Sequence, residues 1–136
     1  MLVIDASAVT ELVLGRRSGA FVADRILERV GDLHAPHLLD VEVLSALRRL
    51  VASRAATESR ANDALTDFQD LTIERYPHDV LAPRVWELRK NFSAYDAVYV
   101  ALAEALTESG ASLLTADRRL GRAVRKHSDV EVVLAA

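Results

Sequence analysis

The sequence contains no cysteine, so disulfide bonds, zinc–thiolate sites and cysteine nucleophiles are excluded from the start. It also has no run of about 18 apolar residues, which a membrane-spanning helix would need. The opening residues MLVIDASAV lack the basic region and the long apolar stretch of a secretion signal. We therefore expect a cytoplasmic protein that does not enter a membrane.

Lysine is scarce as well, because 15 of the 17 basic residues are arginine and only Lys90 and Lys126 are lysine. A GC-rich coding sequence would produce this bias by itself. Arginine also suits phosphate recognition, since its planar guanidinium matches the geometry of the ligand. The formal net charge of -3 is too close to neutrality to identify a class of partner.

Apolar residues are abundant, at 51% of 136 residues, which is enough for one hydrophobic core and excludes a disordered tail as the main state. Strand-like and helix-like segments alternate without an internal repeat or a low-complexity linker. The predicted strands are 2–5, 33–36, 72–76, 111–115 and 130–134, and the predicted helices are 7–14, 20–30, 38–53, 58–71, 80–92, 93–106 and 118–127. This alternation predicts one α/β domain over residues 1–136 with a mainly parallel sheet.

Two acids lie at or just after the ends of predicted strands. Asp5 ends the strand LVID, and Asp117 comes two residues after the strand ASLLT. Ligands of open parallel sheets bind beyond the carboxyl ends of the strands, so both acids are candidates for a functional site. Each is equally a good N-cap for the helix that follows it, and Ser7 could cap the first helix instead of Asp5.

Two further acids lie within predicted helices. Glu42 borders the apolar stripe of its helix and is either a functional acid or part of a solvated face, with Arg48 and Arg49 six and seven positions later. Asp96 precedes the apolar stretch AVYVALAEAL, where a buried carboxylate is costly unless something compensates it. Ser93 and Asp96 also form the S-x-x-D pattern of a capping box.

Taken together, the four acids favour a functional site over four separate capping or surface roles. Neighbouring carboxylates repel each other and raise each other's pKa, and a divalent cation relieves that repulsion. Oxygen ligands of this kind suit Mg²⁺ or Mn²⁺, and such ions assist phosphoryl transfer. The four histidines are scattered and do not form a competing cluster: His34, His37, His78 and His127.

Four segments, in order, resemble the motifs of the PIN domain family, and within it the VapC-type toxin ribonucleases. They are MLVIDASAV with Asp5, APHLLDVEVLSALRRL with Glu42, WELRKNFSAYDAVYVALAEAL with Asp96, and LLTADRRLGRA with Asp117. The resemblance covers almost the whole chain. It implies a three-layer α/β/α fold and an endoribonuclease that hydrolyses RNA phosphodiester bonds with Mg²⁺ or Mn²⁺.

The same resemblance implies roles for individual residues. Asp5, Glu42, Asp96 and Asp117 would be the catalytic and metal-binding acids, and Ser7 and Thr115 would support them from behind. The arginines that follow Asp117 form either a solvated helix face or a phosphate track for RNA, and the candidates are Arg118, Arg119 and Arg122.

The resemblance also implies partners: a cognate VapB-type antitoxin and a second copy of the chain in a homodimer. Apolar residues of the first two helices are either ordinary core or the floor of an antitoxin groove, and we expect core packing for most of Val9, Leu12, Val13, Leu14 and Phe21.

Other classes with acids at strand ends fit less well. A phosphoacceptor signalling domain needs a lysine after a late strand, and neither Lys90 nor Lys126 stands there. A nucleotide-binding Rossmann unit needs G-x-G-x-x-G after the first strand, which DASAVTELVLG does not provide. A dehalogenase-like phosphatase needs a second acid where Ser7 stands. The alternative left open is a non-catalytic PIN domain that binds RNA or a partner.

Overall fold

A computed structural model of the protein describes residues 1–16, 18–28 and 32–135. Within them, a single parallel sheet has the strand order β3-β2-β1-β4-β5. The strands are β1 (Leu2–Ile4), β2 (Leu33–Pro36), β3 (Glu74–Tyr76), β4 (Ser112–Thr115) and β5 (Glu131–Leu134). The predicted strands are thus present, and the prediction of a mainly parallel sheet is confirmed.

The helices connect successive strands. They are α1 (Ala6–Val13), α2 (Gly19–Glu28), α3 (Leu38–Ala52), α4 (Glu58–Asp70), α5 (Ala82–Glu87), α6 (Ala94–Ala105) and α7 (Arg118–His127). Short 3₁₀ turns precede α5 and follow α6, at Asp79–Leu81 and Thr107–Ser109. The last two residues of the helix predicted over 20–30 lie outside the described residues. Among the described helices, none combines the length and the apolar character that crossing a membrane requires.

The sheet separates two apolar layers. Leu2 and Ile4 point into a core formed with α1, α2, α3 and α4, whereas Val3 points into a core formed with α5, α6 and α7. This division follows from the alternation of side chains along a strand. The three-layer α/β/α arrangement that the resemblance implied is therefore confirmed.

The order of the strands creates a crevice beyond the carboxyl ends of β1 and β4. From β1 the chain proceeds outward through β2 and β3 and then returns to β4 on the other side of β1. β1 and β4 are parallel neighbours, with Leu2 opposite Ser112 and Ile4 opposite Leu114. Asp5 and Asp117 follow these two strands, so the topology carries both acids to the place where parallel sheets bind ligands.

The helix predicted over 80–92 is wrong in its extent. A 3₁₀ turn occupies Asp79–Leu81, and α5 ends at Glu87. Pro83 is tolerated in the first turn, as expected. Residues 88–92 form turns because the chain must reach Ser93, whose extended backbone (φ -64°, ψ 160°) begins α6.

α6 explains the unusually apolar stretch in the second half of the sequence. Every residue from Ala97 to Ala103 is buried. The helix packs across β1, β2 and β4 and lies in the middle of its layer. A helix that is apolar on nearly all sides is expected at such a central position. Asp96 lies at its exposed beginning, next to the crevice.

Candidate active site

A cavity of about 790 Å³ lies beyond the carboxyl ends of β1 and β4 and brings the four predicted acids together. Asp5 follows β1, Glu42 lies in the second turn of α3, Asp96 in the first turn of α6, and Asp117 immediately before α7. Four separate parts of the chain therefore contribute one carboxylate each to the wall of one cavity.

Asp5 is the most tightly held of these acids. Its Oδ1 accepts hydrogen bonds from Ser7 Oγ at 2.7 Å and from the backbone N–H of Ala8 at 3.0 Å. Its Oδ2 accepts a hydrogen bond from the hydroxyl of Thr115, the last residue of β4. The bond to Ala8 makes Asp5 the N-cap of α1, so the capping role and the position in the cavity are compatible.

Ser7 and Thr115 link the two strand ends, and the structure brings both to the acid they were expected to support. Ser7 Oγ accepts from the backbone N–H of Ala116 at 2.9 Å, and Thr115 Oγ1 accepts from that of Asp117 at 3.0 Å. The two hydroxyl oxygens are 3.2 Å apart. The loop that carries Asp117 is thereby tied to the loop that carries Asp5.

The charged form of Asp5 is disfavoured despite these hydrogen bonds. Burial raises the pKa of Asp5 from 3.8 to about 6, and the negative charge of Asp117 adds to the increase. The donors Ser7, Thr115 and Ala8 lower the pKa but do not cancel the effect of burial. Removing water from a carboxylate is the dominant cost at this position.

Glu42 reaches the cavity from α3 and has a partner in the opposite layer. The hydroxyl of the buried Tyr99 on α6 donates to Glu42 Oε1 at 2.7 Å. Burial raises the pKa of Glu42, and Asp96 raises it further, whereas Tyr99 and Arg49 lower it. Burial likewise raises the pKa of Tyr99 far above its usual value, so its hydroxyl keeps the proton that it donates.

Asp96 and Asp117 share an arginine. Arg119 Nη2 lies 3.0 Å from Asp96 Oδ2 and 3.4 Å from Asp117 Oδ2. The Arg119 side chain is 67% exposed, so these ion pairs are screened by solvent. Asp117 Oδ1 also accepts from the backbone N–H of Leu120 at 3.1 Å and caps α7.

Half of the expected capping box at the start of α6 is formed. Ser93 Oγ accepts a hydrogen bond from the backbone N–H of Asp96, whereas the Asp96 carboxylate contacts Arg119.

The four carboxylates do not converge into a finished ligand set in this conformation. In the described part of the chain, no three histidine, aspartate or glutamate side chains are arranged to hold one metal ion. The donors still fit a hard divalent cation, because all are carboxylates and burial already disfavours the charged forms of Asp5 and Glu42. Mg²⁺ commonly takes one or two carboxylates and keeps several waters, so it does not require all four acids.

The three predicted RNA-binding arginines occupy the exposed beginning and middle of α7. Arg118, Arg119 and Arg122 are all exposed, and of these Arg119 contacts the acids of the cavity.

The apolar residues of the first two helices pack into the core, as expected for most of them. Val9 and Val13 are buried, so they do not form the floor of a groove. Leu12, Leu14 and Phe21 are partly buried against the same core.

Among the residues of the cavity that were not identified from the sequence as site residues are Tyr99, Arg16 and Arg49. Tyr99 could have been found, since it stands three positions after Asp96 and therefore faces the same way on α6. Arg49 stands seven positions after Glu42, two full turns along the same face of α3. Arg16 lies in the loop after α1, where no periodicity signals its direction.

Comparison with known proteins agrees with this architecture. A family model described as PIN domain matches residues 2–126. Over 135 residues the chain is 41% identical to the VapC ribonuclease Mb0985 of Mycobacterium bovis, with 98% of each chain covered. Over 132 residues it is 42% identical to ribonuclease VapC1 of Mycobacterium tuberculosis, with 96% of each chain covered.

Among solved structures, the crystal structure of PAE2754 from Pyrobaculum aerophilum resembles the fold. The TM-score is 0.65 at 22% sequence identity, and the match covers 96% of this chain and 81% of the other. At that identity the structural match shows a similar fold and nothing more. The match to the family model and the identity to the mycobacterial proteins establish the family. The chain belongs to the PIN domain family and, within it, to the VapC ribonucleases.

Proposed function

We propose that the protein is a toxin endoribonuclease that hydrolyses RNA phosphodiester bonds with the help of Mg²⁺ or Mn²⁺. The observation that carries this proposal is the meeting of Asp5, Glu42, Asp96 and Asp117 at one cavity beyond the sheet. The names of the mycobacterial relatives, which describe them as ribonucleases, support the choice of substrate. We further propose that residues 1–136 act as one domain.

The four acids would hold the divalent cation. When bound, the cation supplies charge stabilisation for the phosphate in the transition state and lowers the pKa of water. The chain's own residues set up this arrangement. Ser7 and Thr115 fix the Asp5 carboxylate, and Tyr99 fixes that of Glu42. Cation binding requires the charged forms of Asp5 and Glu42, which burial disfavours by raising the pKa of both.

We propose that Arg118, Arg119 and Arg122 bind RNA phosphates at the mouth of the cavity. Their exposed guanidinium groups are available to a polyanion that approaches the N-terminal end of α7. Arg119 would have to release the carboxylates of Asp96 and Asp117 before its guanidinium could bind an RNA phosphate.

We propose further that the toxin acts in the cytoplasm, forms a homodimer and is restrained by a VapB-type antitoxin. Exposed apolar side chains that line the cavity support an apolar partner at this surface: Val41 and Tyr95. Mixing the purified chain with the product of a neighbouring antitoxin gene tests the pairing. Light scattering of the free chain measures the mass, which should be twice that of one chain.

The central test is cleavage of RNA by the purified protein, freed of any partner. Total cellular RNA is incubated with Mg²⁺, with Mn²⁺ or with EDTA, and the cut ends are mapped by sequencing. We expect discrete cleavage sites with either cation and intact RNA with EDTA. RNA that remains intact under all conditions, with a folded protein that is shown to be free of partner, would contradict the proposal.

One observation favours the alternative, a non-catalytic PIN domain. Arg119 already neutralises part of the charge on Asp96 and Asp117, so the acids have an internal cation. A protein of this kind would bind RNA or a partner without cutting, and its binding would be the same in Mg²⁺ and in EDTA. The cleavage assay therefore separates the two functions directly.

A further inference from the structure

The cavity continues well beyond the four acids, along a groove between α1 and α3. Its far end is lined from α3 by Ser45, Ala46 and Arg49. The opposite wall includes Glu11 near the end of α1 and Arg16 in the loop that follows. One open space therefore has an end with four acids and an end with two arginines and one glutamate.

The spacing along α3 explains how both ends come to share one face. Glu42 and Arg49 are seven residues apart, which is two turns of helix or about 10 Å. Ser45 and Ala46 lie between them on this face, and their short side chains do not fill the groove. Arg48, the neighbouring residue in sequence, is exposed but does not line the cavity.

The guanidinium of Arg49 is available to a ligand. Its Nη1 donates one hydrogen bond, to Ser45 Oγ at 3.2 Å, and within the described residues Arg49 forms no salt bridge. Arg16 is 41% exposed, and its Nη1 lies 3.9 Å from Glu11 Oε1, at the outer limit of an ion pair. Most of the N–H groups of both arginines therefore face the groove or the solvent.

The two ends of the groove carry opposite charges, with Glu42 at one end and Arg49 at the other. Arg49 therefore attracts an anion that extends from the acid end into the groove. Guanidinium groups suit phosphate, because their planar fork can donate two parallel hydrogen bonds.

We propose that Arg49, assisted by Arg16 across the groove, binds a backbone phosphate of the RNA strand that flanks the bond to be cut. This inference rests on the proposed function and adds a direction to it: the bound strand runs from the acids along α3 rather than only across α7. The four acids then act on one phosphate while a second phosphate, about two helical turns away, is held by arginine. The occupant is a single strand, since the phosphates of one strand can follow the groove in succession from the acids to the arginines.

The test measures RNA binding in a variant that does not cut. Fluorescence anisotropy of a labelled single-stranded RNA is recorded for Asp96→Asn protein, in fixed Mg²⁺, at several KCl concentrations. Arg49→Ala in this background is expected to weaken binding about five- to tenfold. The slope of log affinity against log salt should fall by about 0.7, the value for one lost phosphate contact on a single strand.

Arg48→Ala is the matched control, because it removes the same charge from the adjacent position outside the groove. It should leave the slope unchanged. Arg49→Lys keeps the charge and should keep the slope while losing part of the affinity, and it serves also if Arg49→Ala does not fold. In the cutting protein, Arg49→Ala should raise KM with little change in kcat, as expected for binding that is equal in ground and transition states.

Equal slopes for Arg49→Ala and Arg48→Ala overturn the inference, and so does a groove that takes an acidic peptide while RNA binding is unaffected by Arg49. In both cases RNA cleavage by the parent would still uphold the proposed function. A parent protein that neither binds nor cuts RNA in Mg²⁺ or Mn²⁺ contradicts the proposed function and, with it, the inference.

Discussion

The two ends of the cavity are built differently. At the acid end the side chains are held in place: three donors fix Asp5, and a buried tyrosine fixes Glu42. At the arginine end, Arg16 and Arg49 are exposed, and within the described residues each guanidinium has one side-chain partner. The same groove thus joins a rigid end to an adaptable one.

This difference corresponds to what each end would have to do. Chemistry at a phosphate requires groups held to within a fraction of an ångström, and buried hydrogen bonds provide that rigidity. Binding the backbone of a polymer tolerates movement, because charge attraction acts over several ångströms. Rigidity has a cost at the acid end, where burial raises the pKa of both Asp5 and Glu42.

The largest effect is expected at the acid end. Asp5→Asn should reduce RNA cleavage about a thousandfold, since losing a ligand of the cation removes several kcal/mol of transition-state stabilisation. Circular dichroism should show an intact fold, because asparagine caps helices as well as aspartate does. The measurement is the initial rate of cleavage of a defined RNA.

Asp40→Asn is the control for this change. Asp40 lies on α3 two residues before Glu42 but outside the cavity, where it pairs with Arg75 at 2.6 Å. We expect a small loss of stability and unchanged cleavage. An Asp5→Asn variant that cuts RNA as fast as the parent would show that the acid end is not catalytic. The contrast between a catalytic end and a binding end of the cavity would then be wrong.

The stability of the cation-free protein should depend on pH through Asp5. The pKa of Asp5 is raised in the folded state to about 6, so the folded protein holds the proton more tightly than the unfolded chain. The free energy of unfolding should therefore fall as pH rises from about 4 to about 6, by ~3 kcal/mol for this group. Asp5→Asn should remove this fall, so that the variant becomes the more stable protein above pH 6.

Urea unfolding in EDTA between pH 4 and pH 8 measures this effect. The informative quantity is the difference between variant and parent at each pH, because other titrating groups cancel in it. A difference that stays constant over the range would mean that burial does not disfavour the charge on Asp5.

The hydroxyls behind Asp5 should matter less than the acid itself. Thr115→Val removes the donor to Asp5 and the acceptor for the backbone N–H of Asp117, at nearly constant volume. We expect a ten- to hundredfold loss in cation affinity or activity, as is typical for groups that orient metal ligands. Calorimetric titration with Mn²⁺ gives the affinity, and Thr115→Ser, which keeps the hydroxyl, should restore most of it.

Much of the site could be predicted because it depends on the order of elements along the chain. Asp5 and Asp117 are adjacent because β1 and β4 pair. Alternating strands and helices predict a parallel sheet with ligands beyond the carboxyl ends of its strands, although not which strands are neighbours. Ser7 follows Asp5 by two residues, and Thr115 precedes Asp117 by two, so they too could be expected near the acids.

Other parts could not be predicted because they depend on contacts between elements. The bond from Tyr99 to Glu42 joins residues 57 positions apart across two layers. The availability of Arg49 depends on which face of α3 lines the groove, and Glu42 lies at the border of the apolar stripe. The early end of α5 depends on the path from Glu87 to Ser93, for which residues 88–92 carry no strong breaker.

The smallest expected effect concerns Arg119, which gives the rigid end an exposed cation of its own. Its guanidinium contacts Asp96 and Asp117, so a divalent cation must compete with it for these carboxylates. Arg119→Gln should therefore raise Mn²⁺ affinity about two- to fivefold, the range of an exposed ion pair. Arg122→Gln, the same change one turn further along α7, should leave the affinity nearly unchanged. A fall in affinity on Arg119→Gln would mean that Arg119 orients the two acids instead of competing for them, and the rigid end would then extend to the surface of the protein.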